Sequence, residues 1–214
     1  MEETPTDDLR EEVLAAFAAE LGDGLLESYI RPGNDLWIRV TRDAWPELAS
    51  VAQRKLGFTF FDFLSAIDWL PSPFARDMDS QEDLAVHGRD EKAPTPMTQG
   101  YAGGDTRLQV FARLLSMSRQ MGITCKVDVP DDDPSVPTWS RTFAGANWHE
   151  RETCEMYGID FPGHPNLIKL YLPGAFEGHP LRKDFPLLAR RVKPWPGIVD
   201  VEPMPGNDDA EADA

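Results

Sequence analysis

The residues best suited to do chemistry crowd into one stretch, Trp148 to Pro186, which reads WHERETCEMYGIDFPGHPNLIKLYLPGAFEGHPLRKDFP. His149-Glu150 is how a zinc-protease helix begins. That chemistry needs a second His one turn later, on the same helical face, to complete the metal pair. Thr153 stands there instead. Cys154, His164 and His179 include the right donors for zinc, and a Cys with a His could form a thiolate–imidazole nucleophile. Their separations are 10 and 15 residues, whereas zinc ligands usually come in close pairs. A small buried helical Cys and two Gly-His-Pro turns, each imidazole satisfying a backbone group, account for the same residues more simply. GxGxxG, a P-loop and CxxC do not occur, so nucleotide, flavin and iron–sulfur binding have no local motif.

These side chains need a helix to position them. The spacing predicts one over 142–158, with Thr142 as cap and Gly158 just past its end. At about 100° per residue, Trp148, Glu152 and Glu155 share a stripe with Ile159. Arg151 lies beside it, and Cys154, Met156 and Tyr157 lie elsewhere. A helix that mixes charge and apolar groups on every side should be covered on nearly every side. Arg151 and Glu155 are one turn apart and can pair. Glu150 and Glu152 then call for other bases, because an unpaired buried charge is costly. The competing reading is a solvated charged helix that happens to carry Trp148 and Tyr157. Further on, Arg182 to Lys193 holds five bases (Arg182, Lys183, Arg190, Arg191, Lys193) against one acid, Asp184. In a chain of net charge −16, this reversal of sign reads as a docking segment for acidic groups, on a partner or on the chain's own helix. A solvated patch is the alternative.

The bulk numbers narrow the field. A net charge of −16 and a pI of about 4.5 argue against nucleic-acid binding, which needs a positive field. Two cysteines fit a reducing compartment better than a disulfide framework. MEETPTDDLREE lacks the apolar core of a signal peptide, and no apolar run approaches the roughly 20 residues of a membrane helix. Along the chain the pattern predicts helices over 7–21, capped by Asp7 or Asp8 with Leu9, Val13, Leu14, Phe17 and Leu21 on one face, and over 43–56, with Asp43 capping the second. A hairpin, 25–31 with 35–41, turns at Pro32-Gly33-Asn34. A strand from 58 to 69 is expected to end irregularly. Strands are also expected over 107–117 and 123–129, with a weak one near 136–140. The order predicts an α+β fold, a small mixed or antiparallel sheet with helices packed on it. Domain limits follow: 1–158 as the α+β domain with a surface insertion at 71–106, 159–199 as an extended partner-wrapping arm, and 200–214 as a disordered acidic tail.

Two motifs in order, with a third elsewhere in the chain, carry a family resemblance. Trp148-His149-Glu150-Arg151-Glu152, running on to Met156-Tyr157-Gly158-Ile159 and Phe161-x-Gly163-His164-Pro165, resembles the signature of the C-type subunit of respiratory complex I, the "30-kDa" subunit of NADH–quinone oxidoreductase. Gly178-His179-Pro180-Leu181-Arg182-Lys183-Asp184-Phe185-Pro186 is similar to the second family motif, and Phe61 to Asp68, FDFLSAID, to a third. Where the family usually has Tyr-Asp after Glu-Arg-Glu, this chain has Cys154-Glu155 after one Thr, and Ile168-Lys169-Leu170 replaces an Arg-rich stretch. The resemblance implies a structural subunit of the hydrophilic arm, bracing the D-type subunit that forms the quinone site and the adjacent iron–sulfur subunits. It implies no cofactor on this chain, with NADH, flavin, iron–sulfur clusters and quinone held by partner subunits. It implies peripheral attachment on the cytoplasmic side of the cell membrane and no active site here. Trp148, Glu150, Arg151, Glu152, Glu155, Tyr157, His164, His179, Arg182, Lys183 and Asp184 become the structural and interface candidates. Related assemblies, such as a membrane-bound hydrogenase or a ferredoxin- or deazaflavin-dependent quinone oxidoreductase, use an equivalent subunit. A free-standing metal enzyme built on Cys154, His164 and His179 is the third possibility.

Overall fold

The computed structural model describes residues 7–71 and 96–185. The expectations for 72–95, for the arm beyond 185 and for the acidic tail fall outside the described residues. The chain runs α1 (Asp8–Leu21), β1 (Leu25–Ile30), β2 (Leu36–Val40), α2 (Trp45–Arg54), β3 (Phe60–Asp68), β4 (Leu108–Ser116), β5 (Met121–Val129) and α3 (Ala146–Tyr157). The five strands form one sheet in the order β1-β2-β5-β4-β3. Only the central β2–β5 pair is parallel. This is the expected α+β fold with a mixed sheet.

The alternation of side chains along each strand splits the sheet into two unlike faces. One face is apolar: Leu36, Ile38, Val40, Leu64, Ala66, Val110, Ala112, Leu114, Ile123, Cys125 and Val127 join Val13 and Phe17 of α1, Trp45 and Leu48 of α2, and Ala146 of α3 in a single core. Trp45 and Trp139 stack at its edge, ring centroids 4.2 Å apart. The other face is polar, yet buried. Arg39, Gln109, Lys126 and Asp128 meet there across the β2–β5 and β4–β5 registers. Arg39 donates to Asp128, Asp105, Glu27 and the Ala102 carbonyl. Lys126, fully buried, donates to the Tyr101 and Gly103 carbonyls, both at 2.7 Å. Its ammonium also lies 5.3 Å from the Phe111 ring centre and 5.7 Å from that of Trp69. Burial lowers its pKa to about 8.

Several local expectations change. Asp7 does cap α1, accepting from Arg10 N–H. But Arg10 is buried and Leu9 exposed, because the Arg10 guanidinium bonds Asp7 and the Asn34 carbonyl and so ties the helix to the hairpin turn. Asp43 does not cap α2; Thr41 Oγ1 accepts the Ala44 N–H instead, at 3.3 Å. β3 stays extended to Asp68 with no irregular end, since Trp69 N–H carries the ladder on to the Arg107 carbonyl at 2.9 Å. No strand forms at 136–140; one isolated parallel bridge joins Ser135 to Asp160. Thr142 is not a cap: α3 begins at Ala146, after turns in which Thr142 and Phe143 N–H both donate to the Trp139 carbonyl. Burial of the Trp139 and Phe143 rings draws the chain into those turns. The described end of the insertion, 96–106, is mostly exposed, yet it is tied down. It straps the polar face, and the carbonyls of residues 101–103 receive Lys126 and Arg39.

Removing the Lys126 ammonium leaves those strap carbonyls short of a donor in a site closed to water. Lys126→Ala is expected to lower stability by roughly 2–4 kcal/mol. Amide exchange across residues 100–105 should accelerate more than in β1; equal protection in both variants would show that the strap does not depend on Lys126.

Candidate functional site

The last turn of a helix leaves four carbonyls without intrahelical partners. In α3 all four are met. The Cys154 carbonyl takes Gly158 N–H at 2.8 Å, and the Met156 carbonyl takes Leu181 N–H at 3.1 Å. The Glu155 carbonyl takes His179 Nδ1 at 2.9 Å. The Tyr157 carbonyl takes Arg182 Nε at 2.6 Å. Three of the four donors come from residues 179–182, so the second motif is the cap of the first. Arg182 also sets a cation against the negative end of the helix dipole.

Gly158 makes this approach possible. Its φ of +71° is left-handed, which side chains resist. A Cβ there would collide with the His179 imidazole and lie 2.9 Å from Arg182 Nη2.

The helix's side face is closed by residues 168–172, upstream of the cap. Both Glu155 carboxylate oxygens are occupied by backbone: Leu170 and Leu172 N–H donate to one at 3.1 Å, and Tyr171 N–H to the other at 2.8 Å. Arg151 donates to the Ile168 and Lys169 carbonyls. The expected Arg151–Glu155 pair is therefore not formed; each group instead fixes a stretch of irregular backbone that has no ladder of its own. At the other end of α3, Glu150 is fully buried. It accepts from the Thr138 hydroxyl and, at 2.6 Å, from Trp139 N–H. His164 Nε2 stands 3.9 Å from it and donates to the Asn147 carbonyl at 3.1 Å, while Nδ1 accepts Asn166 N–H at 3.0 Å. Glu150 thus meets backbone and hydroxyl donors, not the base that its charge called for. Burial outweighs those donors and pushes its carboxyl up to about 7. Glu152 is half-buried and has no ion pair among the described residues.

Asp68, last residue of the FDFLSAID motif, closes the arrangement. Its carboxylate, fully buried, accepts from Arg107 Nε and Nη2 at 2.9 and 2.7 Å, from Leu70 N–H at 3.0 Å and from Lys183 N–H at 2.8 Å. Burial alone would raise its pKa; Arg107 and the two N–H groups hold it below the usual carboxylate range. Arg107 bonds Asp184 as well. The three motifs thus meet at one corner.

The sequence-predicted residues therefore divide. Glu150, Glu155, His164, His179 and Arg182 are brought into one bonded system around α3. Arg182, expected to meet acidic groups on a partner or on the chain's own helix, bonds a carbonyl of that helix instead, and the Asp184 carboxylate is also bonded within the chain. The Lys183 side chain is exposed. Tyr157 packs on the core, and Trp148 is 64% exposed. Cys154, His164 and His179 are not brought together. His164 bonds the first turn of α3 and His179 the last, on the order of 12 Å away along the axis. Among the described residues no three His, Cys, Asp or Glu could hold a metal ion. Asp68 and Arg107, the hub of the corner, were not among the sequence candidates; the signal available was an acid ending an apolar strand and a base beginning the next one.

Residues 38–191 match the family model of the respiratory-chain NADH dehydrogenase 30 kDa subunit. The NADH-quinone oxidoreductase C/D subunit of Pseudomonas fluorescens (strain SBW25) is 37% identical over 180 residues, 84% of this chain and 28% of the relative. The Cronobacter sakazakii protein of the same name is 44% identical over 126 residues, 59% of this chain and 19% of that one. In fold, the chain is similar to a trypsin-resistant fragment of Nqo5 (TM-score 0.51, 24% identity, 74% of this chain and 99% of the fragment). It is also similar to a chain of the membrane-bound sulfane sulfur reductase, an archaeal respiratory membrane complex (TM-score 0.61, 18% identity, 86% and 88%). The chain belongs to the respiratory-chain NADH dehydrogenase 30 kDa subunit family. It spans 28% or less of the length of these curated relatives.

Gly158→Ala is expected to cost roughly 2–5 kcal/mol, from the left-handed backbone and the collision with His179; urea midpoints measure it, and a change below about 1 kcal/mol would contradict the packing described. Glu150 gives a pH signature. An unfolded glutamate titrates near 4.5 and this one at about 7. Below 4.5 both states are protonated and nothing is lost. As pH rises towards 7 the folded state holds its proton more tightly than the unfolded state, so stability falls, by on the order of 3 kcal/mol once both are ionised. Glu150→Gln should remove this component, seen as a smaller drop in urea midpoint between about pH 5 and pH 8.

Proposed function

We propose that this chain is a structural subunit of the hydrophilic arm of a proton-translocating NADH–quinone oxidoreductase, bracing the D-type quinone-site subunit and adjoining iron–sulfur subunits. NADH oxidation, the flavin, the iron–sulfur clusters and quinone reduction belong to those partners, and this chain carries no active site of its own. It sits peripherally on the cytoplasmic side of the membrane. Among the described residues no helix is long and apolar enough to cross one, so attachment runs through the partners.

The observation that supports this reading best is the use made of the charged helix. A catalytic carboxylate or imidazole needs a free edge turned to substrate. Here Glu155, His164, His179 and Arg182 are bound to backbone atoms, a use suited to holding an irregular segment rigid. Relatives at 37–44% identity carry the NADH-quinone oxidoreductase name, whereas the likeness to the sulfane sulfur reductase lies in fold alone. That favours the NADH-linked assembly over a hydrogenase or a ferredoxin- or deazaflavin-dependent one.

The test is affinity purification of the tagged chain from membranes of its own cells. The D-type subunit, the iron–sulfur subunits and an NADH-oxidising subunit should come with it, together with NADH–quinone reductase activity, while the chain purified alone should contain neither flavin nor iron. A hydrogenase-type or deazaflavin-oxidising subunit in place of the NADH-oxidising one, or stoichiometric iron on the isolated chain, would contradict the proposal.

A further inference from the structure

Four large apolar side chains stay open to solvent along α3 and its covering segment: Trp148 at 64%, Ile168 at 56%, Tyr171 at 62% and Leu181 at 48%. Their order is set by bonds already described. Trp148 and Glu155 are seven residues apart and so point the same way from the helix. Between them Arg151 holds the Ile168 carbonyl, and Glu155 holds Tyr171 N–H. Leu181 N–H sits on the Met156 carbonyl at the far end. The backbone that carries these four residues therefore follows the length of α3, roughly 18 Å. The backbone beneath three of them is locked by hydrogen bonds, so they are presented on a rigid base. Of the other exposed aromatic groups, Tyr29 and Tyr101 stack on each other, centroids 4.5 Å apart, and Phe60 and Phe63 lie on β3.

We propose that this row is a docking surface and that its occupant is the D-type portion of the oxidoreductase. The inference rests on the subunit reading above and deepens it. An exposed apolar strip of a few hundred Å² is about the size at which monomer patches become functional. Trp and Tyr on a preordered base are the usual anchors of a protein interface. The C/D relatives name the occupant: the region matched by this chain is at most 28% of their length, and the rest of the same molecule lies within reach of the row at high effective concentration. A covered row would also explain the residue pattern of the segment, in which polar groups hold backbone and large apolar groups stay exposed.

The experiment uses the full chain, co-expressed with the D-type subunit from the same genome. Trp148→Ser with Tyr171→Ser should leave the thermal midpoint of the free chain unchanged, because both side chains are exposed. It should weaken capture of the D-type subunit at least tenfold. A control pair, Met117→Ser with Leu26→Ser, removes similarly exposed apolar groups elsewhere and should leave capture intact. Wild-type capture with undiminished capture by the double variant would overturn the surface while sparing the subunit reading. Absence of capture by the wild-type chain would overturn both. A wild-type homodimer that the double variant abolishes would assign the row to a second copy and overturn the proposal.

Discussion

The whole arrangement depends on closing the C-terminus of α3. A helix end buried in protein must have its carbonyls satisfied, and here residues 179–182 satisfy them. That single requirement explains three features together. Gly158 must be glycine because the cap comes so close. His179 and Arg182 must have nitrogen donors at defined reach. The segment between them and the helix must return, and Glu155 and Arg151 hold it on the way. Asp68 then secures the cap to the sheet by taking Lys183 N–H along with Arg107.

Two buried charge systems in this chain differ in their partners: direct acid–base pairs occur on the sheet face, although Lys126 and Arg39 also meet strap carbonyls there. On the polar sheet face, Arg39 meets acids directly and Asp128 serves it and Gln109. Around α3, acids meet N–H groups and bases meet carbonyls. The second pattern uses charge to order backbone, and it suits residues 160–185, which have no regular structure to satisfy their own amides. A subunit whose role is to present a fixed surface needs that rigidity more than it needs reactive groups.

Much of the fold was legible in the sequence. Short apolar runs and the Pro32-Gly33-Asn34 turn placed the strands, and Gly158 marked the end of α3. What escaped had a physical cause in each instance. Thr142 looked like a cap by type, but Trp139 and Phe143 packing set where the helix starts. The i, i+4 rule paired Arg151 with Glu155 because it sees only the helix; the competing partners were backbone groups 15 to 18 residues away. The basic run read as a docking signal because charge has no address in a sequence, and Arg182 found the helix end of its own chain. The polar sheet face was hidden because Arg39, Lys126 and Asp128 sit in strands whose other face is apolar, where charge ordinarily means solvent. Their burial required the strap of residues 99–106, which composition had assigned to the surface.

The central claim is that the two long motifs fold together within this chain, before any partner is present. Residue-resolved hydrogen exchange on the purified, isolated chain tests it most directly. The amides of Leu170, Tyr171, Leu172, Leu181 and Lys183, each bonded to α3 or Asp68, should be protected as strongly as those in the middle of α3. Exchange of those five at unprotected rates, beside a protected α3, would show that the segment orders only on assembly and would contradict the account.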